Sequence, residues 1–219
     1  AKLVFPGPKL DGASVYELLD KEQVTLSAGV PTVWLGLLEH LDATGGQLPS
    51  LQRILVGGAP MPPALMERLE RRPGVIVQTS WGMTEMSPSG TMSAYNDARR
   101  SAMTAGRPAV GVDMLLTDAS GMPLPEQRNV EGHLRIRGVA VIERYFGEER
   151  HATDANGWFD TGDLARDDGL GSDVVLINTP ADGVHALLVC AVDDAHTNEP
   201  QDKNGTPREK ESLVHLITP

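Results

Sequence analysis

Short apolar runs alternate with helical patterns over residues 1–90. The runs are rich in Val, Ile and Leu and predict buried strands, namely LVF (3–5), TLSAGV (25–30), RILVGGA (53–59) and VIVQTSW (75–81). Strand–helix–strand connections of this size favour a parallel sheet. Ligands on such sheets bind outside the carboxyl ends of the strands, so the turns after the third and fourth runs are candidate binding elements.

Three helices are predicted between these strands. The first begins at Ser14, where Ser-Val-Tyr-Glu has the pattern of a capping box with Glu17 reaching back. The second begins near Pro31, continues with apolar residues at helical spacing and ends at the glycine pair 45–46. The third opens at the proline pair 62–63. Together with the strands, these helices predict an α/β subdomain over residues 1–105.

The pattern changes after about residue 105. Short apolar segments separated by turn-rich sequence predict strands at DMLLTD (113–118), HLRIRG (133–138) and WFDTGDLA (158–165). Helical periodicity is weak in this half apart from residues 140–150. The expected fold class is therefore α/β: part of a parallel α/β sheet followed by a small β-rich subdomain at residues 106–169.

The remaining residues, 170–219, have a third character. VVLINT (174–179) and VHALLVCAV (184–192) are possible strands, whereas residues 193–211 are polar and rich in turn formers. We therefore expect a partly disordered tail. No apolar run anywhere in the sequence reaches the length of a membrane span.

Composition narrows the function classes. The net charge is −11, from 19 basic and 30 acidic residues, which argues against sequence-independent nucleic-acid binding. An anionic small molecule can still be held by local dipoles and a metal ion. The single cysteine, Cys190, allows no disulfide within the chain, which indicates a reducing, cytoplasmic compartment.

The segment QTSWGMTEMSP (78–88) concentrates unusual chemistry at one predicted strand end. A large ring, a glycine, a hydroxyl and a carboxylate follow one another at Trp81, Gly82, Thr84 and Glu85. Taken alone, the tryptophan is a core anchor and the glutamate a solvated charge. The segment by itself therefore allows a ligand site or an ordinary turn.

Five short motifs in order decide between these alternatives: LVGGAPMPP (55–63), QTSWGMTEMSP (78–88), TAGRPAVGVDMLLTD (104–118), EGHLRIRG (131–138) and GWFDTGDLARDDG (157–169). Each one is weak alone, but their order and spacing resemble the adenylate-forming enzymes, which include acyl-CoA synthetases, luciferases and peptide-synthetase adenylation domains. The resemblance covers residues 1–169, and LSAGVPTVWLGLLEHL (26–41) is most similar to medium- and long-chain fatty-acyl-CoA ligases. It implies an α/β core followed by a distorted barrel.

The resemblance also implies roles for individual residues. Thr84 and Glu85 would be catalytic, with the hydroxyl on a phosphate oxygen and the carboxylate on Mg²⁺. Asp163 would accept both ribose hydroxyls, and the Trp81 ring would stack on adenine. The full set expected to bind the nucleotide is Gly57, Gly58, Ala59, Trp81, Gly82, Met83, Thr84 and Asp163.

The same resemblance implies the other reactants. A carboxylic acid would lie near Ala28, Gly29, Val30 and Pro31, ATP would supply the adenylate, and coenzyme A would take the acyl group. Two alternatives stay open: an adenylation domain for a different carboxylic acid, and a non-catalytic nucleotide-binding remnant. The acyl chain length and the oligomeric state are not decidable from these residues.

Some family features have no counterpart in the sequence. The lysine of the phosphate loop, the catalytic lysine of the C-terminal domain and the second ribose ligand, an arginine, are not found in their motifs. Lys203 and Lys210 lie in polar sequence without the family context and are not assigned a role. Because each missing donor typically costs about 10²–10³ in rate, we expect this polypeptide alone to show no measurable ligase activity.

Overall fold

The computed structural model describes residues 2–167, 174–178 and 189–192. The chain forms three helices, eleven strands and a 3₁₀ turn at Thr84–Met86 within these residues. The helices are Gly12–Lys21 (α1), Pro31–Thr44 (α2) and Pro63–Arg71 (α3). The strands are Lys2–Val4 (β1), Leu26–Gly29 (β2), Arg53–Val56 (β3), Ile76–Gly82 (β4), Ser89–Met92 (β5), Arg107–Pro108 (β6), Val112–Thr117 (β7), Glu131–Gly138 (β8), Phe159–Asp167 (β9), Val174–Asn178 (β10) and Val189–Val192 (β11).

A seven-stranded mixed sheet has the order β1-β11-β2-β3-β4-β5-β6. Its centre is parallel, because β2 pairs with β3 and β3 with β4 in parallel register. The outer pairings are antiparallel, including those of β11 with β1 and with β2. Strand β1 therefore runs in the same direction as β2, as the alternation predicts, but is separated from it by β11. The α/β class is confirmed, and its parallel part has three adjacent strands.

Helices α1, α2 and α3 pack with the central strands around the first of two apolar clusters. Helix α2 begins with Pro31 at its first turn and ends at Gly45, whose φ of 72° is left-handed. The predicted cap of α1 is wrong by three residues. Asp11 is the N-cap, and its carboxylate accepts from the Ser14 amide at 3.0 Å and from the Ser14 hydroxyl at 2.8 Å. The helix therefore begins at Gly12, and Ser14 lies inside its first turn, where its own amide is capped by Asp11.

A four-stranded antiparallel sheet, in the order β10-β9-β8-β7, corresponds to the β-rich part, but its edge strand β10 comes from beyond residue 169, while β6 joins the mixed sheet. The four-stranded sheet encloses a second apolar cluster that also contains Trp81 of β4, so the two sheets share core contacts. The helical periodicity at residues 140–150 is misleading, because these residues form turns and bends without a helix. They are largely exposed and include Gly147 with a φ of 81°, which a helix interior does not tolerate.

The strands predicted at 174–179 and 184–192 are confirmed where the structure describes them, at Val174–Asn178 and Val189–Val192. The other residues of the predicted tail, with the expectation of partial disorder there, lie outside the described residues. Across the described part of the chain, no helix combines the length and apolarity needed to cross a membrane.

Trp34 is a testable anchor of the α/β part. It is fully buried, and its indole N–H donates to the Gly29 carbonyl at 3.1 Å. We expect Trp34→Phe to lower the free energy of unfolding by about 1–3 kcal/mol, because a hydrogen bond is lost and a cavity is left. Urea unfolding followed by circular dichroism measures the change.

The matched control is Trp158→Phe on the second sheet. Trp158 is half-buried, with the Arg137 guanidinium 4.5 Å from its ring centre, a contact that phenylalanine keeps in part. The expected change is below about 1 kcal/mol. Equal losses in the two variants would contradict the anchoring role of Trp34.

Candidate functional site

The carboxyl ends of β2, β3 and β4 meet at one edge of the mixed sheet. The register pairs Gly29 with Val56 and Val56 with Thr79, so the segments that follow these residues leave the sheet side by side. The three groups of predicted residues, 28–31, 57–59 and 81–85, are thereby brought to the same edge. This is the placement that the alternation of strands and helices predicts.

The glycine turn after β3 is packed tightly against β4. A Cβ on Gly57 would lie 2.7 Å from the Ser80 hydroxyl, which itself donates to the Val56 carbonyl at 3.2 Å. Gly58 has a left-handed φ of 76°, and Gly58 and Ala59 are exposed. The turn therefore has a structural reason for its glycines and still presents open backbone at the strand end.

Trp81 and Asp163 form a direct contact between the two sheets. The Trp81 indole N–H donates to Asp163 Oδ2 at 2.8 Å, although the residues are 82 positions apart in the sequence. Trp81 is 6 % exposed as a residue, and a Cβ on Gly90 would lie 2.4 Å from Cζ3 of its ring. The structure thus shows the indole as a donor held by β5 and β9; stacking on adenine stays a prediction.

Asp163 is a buried carboxylate with 5 % of its surface exposed. Burial raises its pKa above the ordinary 3.8, and the bond from Trp81 acts in the opposite direction. Within residues 2–167 no salt bridge joins it to a cation, and its amide donates to the Thr161 hydroxyl at 3.1 Å. The fold keeps a costly carboxylate at this position, which is typical of functional groups.

Glu85 is held by the segment that follows β8. Its Oε1 accepts from the Tyr145 hydroxyl at 2.9 Å, and its carbonyl accepts from the Ile142 amide at 2.9 Å. Partial burial and the Glu85 carboxylate raise the pKa of Tyr145, so the phenol remains a donor at neutral pH. Thr84 precedes Glu85 in the 3₁₀ turn and is exposed, and Met83 before it is half-buried.

Glu85 is a single carboxylate, which restricts the type of metal site that this turn can form. Among the described residues, no group of three or more His, Cys, Asp or Glu side chains could hold a metal ion. Magnesium is commonly bound through one or two carboxylates together with substrate phosphates and waters. The single half-buried carboxylate of this 3₁₀ turn is therefore compatible with Mg²⁺ carried by a phosphate-bearing ligand.

The residues predicted to contact an acid differ in accessibility. Ala28 and Gly29 at the end of β2 are half-buried, whereas Val30 and Pro31 at the start of α2 are buried. The bond from Trp34 fixes the Gly29 carbonyl. An acid at this edge would meet β2 directly, while Val30 and Pro31 support it from the core.

A surface groove lies between β7, β8 and the segment after β8; its lining includes Gly111, Asp113, Val139 and Thr153. Sequence reasoning missed Tyr145, because nothing in the pattern connects an aromatic residue in an exposed turn to Glu85, 60 positions away.

Comparisons with known proteins show the family of this chain. Residues 1–146 match the family model described as AMP-binding enzyme. A medium-chain-fatty-acid–CoA ligase of Ectopseudomonas oleovorans is 39 % identical over 180 residues, which are 78 % of this chain and 33 % of the relative. A long-chain-fatty-acid–CoA ligase of Thermus thermophilus is 38 % identical over 177 residues, which are 75 % of this chain and 32 % of the relative.

Solved structures of related enzymes share the fold of this chain. The o-succinylbenzoate coenzyme A synthetase of Bacillus subtilis in complex with AMP aligns with a TM-score of 0.66 at 26 % identity. The alignment covers 80 % of this chain and 36 % of that structure. The chain thus spans about a third of the length of the curated relatives it matches.

Proposed function

Since this chain belongs to the family of AMP-binding enzymes, we propose that it carries nucleotide-, metal- and acid-binding elements of an AMP-forming acyl-CoA ligase. The observation that carries the proposal is the bond between Trp81 and Asp163. It joins two motifs that are distant in sequence at the carboxyl end of a parallel sheet, where such folds bind ligands. The fatty-acyl-CoA ligases that match this chain support a fatty acid as the acid substrate.

The proposed reaction has two steps. A carboxylate oxygen of the acid attacks the α-phosphate of ATP, and pyrophosphate leaves with the electrons of the broken P–O bond. The thiolate sulfur of coenzyme A then attacks the acyl carbon of the adenylate, and AMP leaves. Both steps require negative charge on the phosphates to be held by fixed donors and cations.

The residues of this chain take the following parts in the proposal. The carboxylate of Asp163 accepts the ribose hydroxyls, and Thr84 donates its hydroxyl to a phosphate oxygen. Glu85 holds Mg²⁺, which neutralises phosphate charge. The backbone at residues 57–59 lies beside the base, while Trp81, Gly82 and Met83 complete the nucleotide side. Residues 28–31 face the acid. The proposed location of the protein is the cytoplasm.

Calorimetric titration of the 219-residue chain tests the nucleotide site. We expect saturable AMP binding with a dissociation constant between about 1 µM and 1 mM. A non-hydrolysable acyl-adenylate analogue should bind more tightly, because it adds contacts at residues 28–31. GMP is the matched control and should bind more weakly, since its base differs while its ribose and phosphate are the same.

Two outcomes have distinct meanings. Absence of saturable AMP binding would contradict the proposed function. Binding of AMP with no gain for the acyl-adenylate analogue would favour the alternative of a nucleotide-binding module without an acid site. The expectation that this polypeptide alone has no ligase activity stays a prediction, and pyrophosphate release with ATP, Mg²⁺ and C4–C16 acids tests it.

A further inference from the structure

The segment that follows β8, residues 139–146, crosses the 3₁₀ turn that carries Glu85; we call it the strap. It contacts the turn at three points. The Ile142 amide donates to the Glu85 carbonyl at 2.9 Å, and the Ser87 hydroxyl donates to the Ala140 carbonyl at 3.4 Å. The Tyr145 hydroxyl donates to Glu85 Oε1 at 2.9 Å. The first contact holds the backbone of the turn, the second joins the side chain of its capping residue Ser87 to the strap, and the third acts on the Glu85 carboxylate itself.

Packing does not explain why the strap ends in aromatic residues. Val141 and Ile142 pack against the second apolar cluster, but Tyr145 is 44 % exposed and Phe146 is fully exposed. Burial of the Tyr145 ring contributes little, so its defined contact is the bond to Glu85. A glutamate side chain otherwise keeps about 1.5–2 kcal/mol of rotamer freedom, which a single fixed donor can restrict.

We propose that Tyr145 is a positioning residue that holds the Glu85 carboxylate in the orientation needed to bind Mg²⁺ on a nucleotide. The hydroxyl donates to Oε1, and Glu85 would hold Mg²⁺ through its carboxylate in the orientation that this bond sets. Ligating carboxylates are commonly oriented by such outer hydrogen bonds, and loss of one costs about 10–100-fold in metal affinity. This inference rests on the proposed function and adds a residue 60 positions away from the metal ligand.

Tyr145→Phe tests the inference, because it removes the hydroxyl and keeps the ring. The measurement is the affinity for ATP, by calorimetry, with Mg²⁺ and with EDTA, alongside AMP in EDTA. We expect the gain in ATP affinity on adding Mg²⁺ to fall by about 10-fold or more. AMP affinity and the thermal midpoint should stay at their wild-type values. Electron paramagnetic resonance of Mn²⁺ with ATP should show the same loss of bound metal.

Tyr95→Phe is the matched control. Tyr95 is similarly exposed and contacts Arg53 at the start of β3, which is the opposite end of the sheet. This variant should keep the full response to Mg²⁺.

An unchanged or larger Mg²⁺ response in Tyr145→Phe would overturn the inference. It would also be overturned if the wild-type chain bound AMP but showed no response of ATP affinity to Mg²⁺, a result that leaves the nucleotide site of the proposed function standing. Loss of AMP binding in the wild-type chain, by contrast, would remove the proposed function and the inference together.

Discussion

Replacing Asp163 with asparagine is expected to stabilise the fold and to weaken AMP binding. The amide oxygen of asparagine can still accept from the Trp81 indole, so the contact between the sheets is kept. The buried charge, for which no cationic partner is found within residues 2–167, is removed together with its desolvation cost. The amide cannot accept two ribose hydroxyls, and a hydrogen bond to a charged group contributes about 1.5–3 kcal/mol. AMP affinity should therefore fall by about 10–100-fold.

The gain in stability should depend on pH. Because burial raises the pKa of Asp163 above 3.8, the folded state keeps a proton that the unfolded state has lost. The stability that this residue contributes is fully present below pH 3.8 and is lost as pH rises through the raised pKa. The asparagine variant lacks this loss. The stability advantage of Asp163→Asn over the wild type should be small near pH 3.5 and grow as pH rises. It should become constant above the pKa that Asp163 has in the folded state.

Urea unfolding at a series of pH values and calorimetry with AMP measure the two effects. Asp160→Asn is the control on the same strand, since its side chain is 56 % exposed and pairs with Arg135 at 3.4 Å. Surface pairs contribute about 0–1 kcal/mol, so this variant should change neither property greatly. A neutral-pH destabilisation of Asp163→Asn, or unchanged AMP binding, would show that the carboxylate is structural.

The fold was predictable where the pattern of apolar and turn-forming residues is compatible with only one type of secondary structure. Apolar runs bounded by Gly and Pro predict β2, β3 and β4 and their parallel order, and Pro31 and Gly45 bound α2 correctly. The insertion of β11 between β1 and β2 was not predictable, because it joins residues about 190 positions apart. Residues 140–150 show a different error. The spacing of their apolar residues favours a helix, but the structure has exposed turns and bends there.

The candidate site was likewise predictable only in part from the sequence. The ends of β2, β3 and β4 carry the predicted residues 28–31, 57–59 and 81–85 to one edge of the mixed sheet, whereas Asp163 comes from β9 of the other sheet. Two features needed coordinates: the indole of Trp81 directed at Asp163, and the hydroxyl of Tyr145 on Glu85. Both join distant parts of the chain through single side-chain atoms. A sequence pattern records which residue types are present, but such contacts depend on the path of the backbone between them.

Gly82→Ala is expected to destabilise the protein and to abolish AMP binding. A Cβ at this position would lie 1.7 Å from the Pro88 carbonyl oxygen and 3.1 Å from the Gly90 amide nitrogen. Both are backbone atoms of the returning chain and cannot rotate away, so the connection between β4 and β5 must open. Overpacking of this kind costs about 3 kcal/mol, which for a chain of this size lowers the melting temperature by roughly 6–12 °C. Trp81 and Thr84, which lie on either side of this glycine in the sequence and on the nucleotide side in the proposed function, move with it.

This prediction separates two explanations of the same glycine. The resemblance places Gly82 among the residues that bind the nucleotide, whereas the structure explains the glycine by the approach of Pro88. Thermal unfolding and AMP titration of Gly82→Ala distinguish them, with Gly7→Ala as control, because no atom lies within 4 Å of a Cβ on Gly7. A lower melting temperature with lost binding supports the structural explanation. An unchanged melting temperature with lost binding would contradict it and assign the glycine to the ligand alone.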